Sequence, residues 1–224
     1  NLFVMPSCGD ESNAIGSCYY GYKIYCKRNK VEFSPKSFSN LYLGPTYSSD
    51  YIGKLIKKRN LNEKYKITKP KNINKEIAKL LSKEKIVARC SGKSEWGARA
   101  LGNRSILANP KSKDTIRILN ETIKDRDFWM PFTPSIIDKD EKKYVVNPKK
   151  INANYMAITF DSTEKSLEDL PAAMHPYDFT LRPQIVKKID NKEYYEILEN
   201  FRKMSGSGAI LNTSFNLHGE PNVL

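Results

Sequence analysis

The sequence predicts a mixed α/β (α+β) chain built on a substantial sheet with flanking helices. Three observations predict it. Short apolar runs such as KIVARC and AILNTSF have strand length, whereas NINKEIAKLLSKE and EYYEILENFRKM repeat their apolar residues at helical spacing. The two kinds of element mix without strict alternation, so the sheet is not expected from βαβ units alone. At 224 residues, 39% of them hydrophobic, the chain is long enough to bury a core.

Taken in order, LFVMP reads as a short buried strand stopped by Pro6, and PSCGDES as a turn. From Glu11 to about Arg28, Ala14, Ile15, Cys18, Tyr19 and Tyr22 recur at helical spacing, with Lys and Arg closing the end. Asp10 stands at the entrance of this helix, where aspartate is an ordinary N-cap. The stretch SPKSFSNLYLGPTYSSD is polar and turn-rich, and a domain boundary is expected near residue 40. Ser48 or Ser49 then caps a helix, DYIGKLIKKRN. KYKIT is a strand candidate. NINKEIAKLLSKE is an amphipathic helix with Ile77, Leu80 and Leu81 on one side. KIVARC and SILA are strands, and DTIRILNETIKDR is a helix. YMAITF, FTLRPQIV and AILNTSF complete the strands, with the helix EYYEILENFRKM between the last two.

Composition narrows the function. The net charge of +13 suits either a nucleic-acid partner or an anionic small molecule bound by a chain with a lysine-rich surface. Stretches such as KPKNINKEIAKLLSKEK place many lysines on solvated helix faces and favour the second. No apolar run approaches the roughly 18–20 residues that span a bilayer, and no secretory signal pattern is present. Cys8, Cys18, Cys26 and Cys90 lack CxxC spacing and fit reduced thiols of a cytoplasmic protein. The two histidines, His175 and His218, are far apart, so no paired zinc motif exists. The chain starts within an apolar run and stops at HGEPNVL, and is read as a piece of a longer protein.

The densest stretch is SGKSEWGARALGNRSILANP, residues 91–110. Gly92-Lys93-Ser94 mimics the end of a nucleotide loop, but Val87 stands where that motif needs glycine. Three other places share its character: Lys124 and Arg126 in KDR, Arg182 in TLRPQ, and Asn212 and Ser214 in NTS. Each lies at the edge of a predicted element and sets cations or amides beside small residues. Arg and Lys clamp phosphate or carboxylate oxygens, and glycine lets backbone N–H groups approach an anion. Such a set suits phosphoryl or adenylyl chemistry better than triad hydrolysis. Each segment also has a plain structural alternative: Lys-x-Arg complements a helix terminus, and Asn-x-Ser makes a turn.

The segments EWGARALGNRSILANP, IKDRDFWMPFTPSI, RPQIV and LNTSFNLHGEP closely resemble the signatures of the NodU/CmcH O-carbamoyltransferase family, in the family's order. LFVMPSCGDESNAIGSCYY resembles the end of that family's first domain, and YLGP the start of its second. The resemblance implies residues 1–40 as the end of a Kae1-like domain, of the actin/Hsp70 superfamily, and residues 41–224 as a YrdC-like domain with a twisted mixed sheet. It implies that the YrdC-like part joins carbamoyl phosphate and ATP, with Mg2+, into carbamoyl-adenylate. The Kae1-like domain would then use a metal, iron in the family, to pass the carbamoyl group to a hydroxyl of a sugar-containing acceptor.

By motif, Lys124 and Arg126 match the Lys-x-Arg pair that holds phosphate and carbamoyl oxygens, and are the implied catalytic residues. Arg99 and Arg104 should neutralise the same anions. Arg182, Asn212 and Ser214 should complete the adenylate pocket. Asp10 matches a metal-ligating aspartate whose histidine partners would lie upstream of residue 1. Glu95 is expected to orient an arginine. The chain departs from the pattern at GDES, where GDAG is usual, and at DFTLRPQ, where DGTARPQ is usual. The competing function is a nucleic-acid-binding YrdC-like module with a basic groove. The densest cationic stretch holds a single aromatic, Trp96, which disfavours it.

Overall fold

The computed structural model describes residues 4–37, 40–125, 127 and 129–224. Helix α1 is Glu11–Asn29, α2 Ser49–Lys58, α3 Leu61–Lys64 and α4 Ile73–Ser82. Strands β1 (Val87–Cys90) and β2 (Arg104–Ala108) follow, then α5 (Asp114–Leu119), a π-helical turn at Asn120–Lys124, and β3 (Thr133–Ile137). The remainder is α6 (Glu141–Tyr144), β4 (Val145–Val146), β5 (Asp161–Ser162), α7 (Glu164–Asp169), β6 (Gln184–Val186), α8 (Lys192–Ser205) and β7 (Ala209–Ser214).

Among the described residues, five strands make one sheet in the order β1-β2-β7-β3-β6. β3 and β6 run parallel and the other neighbours antiparallel, so the sheet is mixed, as expected. Its residues alternate between two buried faces. Leu107, Ile137, Val186 and Ile210 pack beneath α4 and α8, while Ile106, Ile136, Ile185 and Leu211 face the opposite side. Each such fully buried aliphatic side chain contributes about 1.5–3 kcal/mol of transfer free energy. Side-chain caps begin three of the helices: Ser48 accepts from the Tyr51 N–H, Asn72 from Lys75 and Asn191 from Tyr194. On α4 the buried residues are Asn74, Ile77, Ala78 and Leu81, and Leu80 is turned outward.

Several expected strands are absent or shorter, for local reasons. Among the described residues KYKIT (64–68) has no sheet partner, and Tyr65 and Ile67 are exposed. YMAITF supplies only an isolated bridge, Phe160 to Leu181, because Met156 takes a left-handed φ of 53° that breaks an extended run. FTLRPQIV is a strand only over Gln184–Val186, since Phe179 is also left-handed, with φ 59°, and Pro183 follows. Leu2 and Phe3 of LFVMP lie outside the described residues, and Val4 and Met5 are not in a strand.

The interior strand β3 carries a proline, a residue normally confined to edge strands. The register resolves this. Pro134 lies one residue before the stretch paired with β6, which begins at Ser135↔Gln184. The Ile137 N–H donates to Gly208 O of the segment leading into β7. Alternate residues of β3 therefore point their N–H groups toward β7, and Pro134 faces the side where no ladder bond is needed.

Within α1 only Cys26 is buried. From Leu41 onward the chain is tied to the loop before β2. The Gly44 N–H donates to Ser94 O (3.0 Å), the Ser94 N–H to Pro45 O (3.0 Å) and the Trp96 N–H to Leu41 O (2.7 Å). The four cysteines are all free thiols. Among the described residues, no helix is long and apolar enough to cross a membrane.

Candidate functional site

Four of the sequence-predicted residues meet. Arg99, Arg182, Asn212 and Ser214 line one pocket of about 60 Å³, together with Ala98, Thr133 and Met156. It sits where three strands begin and one ends. Arg99 is in the loop before β2, Thr133 opens β3, Arg182 precedes β6, and Ser214 closes β7. Arg99 is exposed at the rim, Arg182 is half-buried, and Asn212 is buried in the floor.

The loop carrying Arg99 is fastened by side chains on nearly every peptide. From one side Glu95 Oε1 accepts from the N–H groups of Leu101 (2.8 Å), Asn103 (2.6 Å) and Arg104 (3.2 Å). From the sheet, Asn212 Nδ2 donates to Ala100 O (3.0 Å), and Gln184 Nε2 to Leu101 O (2.9 Å). Tyr42 adds its hydroxyl to the same Leu101 carbonyl at 2.8 Å. Arg89, buried within β1, donates to Gly102 O and to Asn103 Oδ1 (2.7 Å), and pairs with Glu193 at 3.2 Å. Burial lowers the Arg89 pKa, and the Glu193 carboxylate opposes that shift. Ser135 Oγ bonds Gln184 Oε1 at 2.7 Å and accepts from Asn212 Nδ2 at 3.0 Å, locking the floor. The loop is thus preorganised, and Arg99 is the cation it presents.

Gly102 shows how tightly the loop is seated. Its φ is 110°, and an added Cβ would overlap the Tyr194 ring. Gly102→Ala combines a backbone strain of about 1–3 kcal/mol with overpacking of similar size. The expected loss is about 2–5 kcal/mol, read from the urea-unfolding midpoint. An unchanged midpoint would show that the loop is not held as described.

Arg104 has a different place from the one its motif implied. It is 1% exposed, and its guanidinium donates to the carbonyls of Ser91, Asn103, Pro45 and Gly92 at 3.0–3.2 Å. It clamps the loop to residue 45 rather than lining the pocket. Glu95 holds Arg104 through its main-chain N–H, not its guanidinium. Its carboxylate also fills the concavity of N–H groups that a bound anion would otherwise use.

Lys124, implied by its motif to hold phosphate and carbamoyl oxygens, is 1% exposed. The π-helical turn rotates it inward, and Asp125 follows with a left-handed φ of 41°. Such turns concentrate at functional sites. Lys124 Nζ donates to Ser214 O, Asn216 O (2.9 Å), Asn216 Oδ1 (2.8 Å) and Ser214 Oγ (3.2 Å). It reaches the site by holding the segment that ends β7. Arg126 lies outside the described residues.

Asp10 is exposed and takes helical dihedrals at the N-cap position of α1, with no side-chain cap bond. Among the described residues, no three His, Cys, Asp or Glu side chains come together as a metal site. A transition-metal site usually needs at least three protein ligands, and Asp10 is the single motif-matched one among the described residues.

Fold and pocket together define an α+β domain that concentrates cations on a small polar cleft at strand ends. A family model described as carbamoyltransferase C-terminus matches residues 78–224, and the chain belongs to that family. It is 36% identical over 219 residues to the uncharacterized protein MJ1058 of Methanocaldococcus jannaschii, covering 97% of this chain and 35% of that protein. It is 28% identical over 227 residues to the nodulation protein NolNO of Sinorhizobium fredii, covering 100% of this chain and 32% of that one. The chain therefore spans about a third of the length of these relatives. A solved structure, full-length HypF in its phosphate- and nucleotide-bound form, aligns with a TM-score of 0.47 at 19% identity, over 66% of this chain and 21% of that one.

Proposed function

We propose that this chain makes carbamoyl-adenylate from carbamoyl phosphate and ATP, as the adenylating part of an O-carbamoyltransferase acting on a hydroxyl of a sugar, antibiotic or related metabolite. Residues 41–224 are the YrdC-like unit in this proposal, and residues 1–40 the end of a Kae1-like domain. The observation that carries it is the convergence of Arg99, Arg182, Asn212 and Ser214, from well-separated segments, on one pocket. Two arginines there can bind the oxygens of a transferring anion. Atom balance fixes the products: carbamoyl phosphate, ATP and a water give carbamoyl-adenylate, pyrophosphate and inorganic phosphate. No carboxylate lines the pocket, so Mg2+ would ride on the nucleotide's own phosphates. Lys124 and Arg104 act in this scheme as positioning residues, and Arg126 as a further phosphate ligand.

The test is carbamoyl-phosphate-dependent exchange of labelled pyrophosphate into ATP. Exchange that needs carbamoyl phosphate supports the proposal; salt-sensitive nucleic-acid binding without exchange would favour the basic-groove alternative.

Arg99 and Arg104 should separate in this assay. Arg99→Lys loses the bidentate fork and should raise the apparent KM for ATP or carbamoyl phosphate roughly tenfold, as losing about one charge-assisted bond does. Arg104→Lys should lower the unfolding midpoint first. Equal kinetic effects of both changes would contradict the placement of Arg104 outside the pocket.

A further inference from the structure

The Arg99–Arg182 pocket offers about 60 Å³, and one water needs roughly 10–15 Å³ of such space. A phosphoryl or carbamoyl group fits there, but a base and ribose do not. Pro131 and Phe132 form part of its wall, and the same two residues line a second cavity of about 410 Å³. That volume falls within the roughly 300–1,000 Å³ of small-molecule sites. Met130, Met174 and Phe179 supply apolar walls, and His175 and Lys113 its polar members.

Phe179 is the unusual member. Its φ is 59°, and its side chain is 50% exposed. A bulky aromatic residue in the left-handed region is strained, and glycine stands there in the pattern this chain resembles. The surrounding turn enforces the conformation. The Phe179 N–H donates to His175 O (3.1 Å), and the His175 N–H to Thr180 O (2.9 Å). Asp178 Oδ1 accepts from the Thr180 N–H (2.9 Å) and hydroxyl (2.8 Å), and lies 3.1 Å from His175 Nδ1. The fold thus holds an aromatic ring half out of the core, at the mouth of a cavity next to the anion pocket. A half-exposed ring returns little burial energy for its strain, whereas a flat ligand stacked on it would.

We propose that this cavity receives the purine base of the nucleotide whose phosphates reach the Arg99–Arg182 pocket, with Phe179 stacking on the base and His175, oriented by Asp178, meeting its polar edge. This rests on the adenylate-forming reading above. Phe179 is then a specificity-determining residue peculiar to the DFTLRPQ form of the motif.

The experiment is equilibrium binding of ATP and of inorganic tripolyphosphate to the full chain, with Phe179→Gly and Phe179→Tyr. Glycine accepts φ 59° without strain, so this variant removes the ring without burdening the fold. Phe179→Gly should weaken ATP about tenfold, the scale of one lost base–aromatic stack, and leave tripolyphosphate unchanged. Phe179→Tyr should keep wild-type ATP affinity. If ATP affinity is unaltered in Phe179→Gly, or ATP and tripolyphosphate weaken equally, the base site is wrong while the adenylate reading stands. A wild-type chain that binds neither ligand overturns the adenylate reading and the base site with it.

Discussion

Lys124→Met should reduce carbamoyl-phosphate-dependent exchange by about 10²-fold, the scale of a small misplacement of groups that position the reactants. It should also destabilise the fold. Lys124 Nζ is enclosed by four oxygen acceptors on Ser214 and Asn216. Methionine fills similar volume but donates nothing, so these acceptors lose their donor at a cost of about 1–3 kcal/mol. Ser214 lines the anion pocket, and freeing it couples the structural loss to the chemical one. Lys124→Arg keeps the charge, yet its planar fork cannot reproduce the convergence of one ammonium on four oxygens. Both variants should therefore fail in exchange per folded molecule, with the folded fraction read by urea titration. Near-normal exchange in either would remove Lys124 from the site.

Much of the candidate site was legible because its residues lie in short, dense segments with a chemical character of their own. Arg99, Arg182, Asn212 and Ser214 could be chosen by residue type and position at element edges, and the fold brings them together. What each guanidinium touches could not be read the same way. Arg104 is spent on carbonyls, one of them at Pro45, far earlier in the chain. Nothing local to GARALGNR announces that partner. Arg89 left a weak signal, as a cation inside the apolar run KIVARC. Its buried bonds to Gly102 and Asn103 explain why it is tolerated there. The helices were clear from periodicity and caps. The strands were less so, because backbone conformation overrode composition. Pro134 masked β3, whose register spares the missing donor, while Met156 and Phe179 interrupt β-like runs at positive φ. These two residues line the two adjoining cavities. Sequence patterns fail here where the backbone is bent to build a site.

Supplied with ATP, magnesium and carbamoyl phosphate, the isolated chain should release pyrophosphate yet carbamoylate no sugar or antibiotic hydroxyl. The two half-reactions need different machinery. Adenylation is positioning and charge stabilisation, and in the proposed scheme the Arg99–Arg182 pocket with its clamped loop would provide both. In the proposed scheme, transfer to a hydroxyl needs a metal-assisted site. Asp10 is its single motif-matched ligand in this chain, exposed at the start of α1. One carboxylate leaves a transition metal short of the three protein ligands it usually needs. The described residues offer no other cluster to complete the set. Purified chain should therefore retain no stoichiometric iron, and Asp10→Asn should leave pyrophosphate release unchanged. Pyrophosphate and carbamoylated acceptor are followed separately in one reaction, with iron measured on the same sample. Transfer by this chain alone, or tightly held metal, would show that the division between adenylation and transfer is drawn in the wrong place.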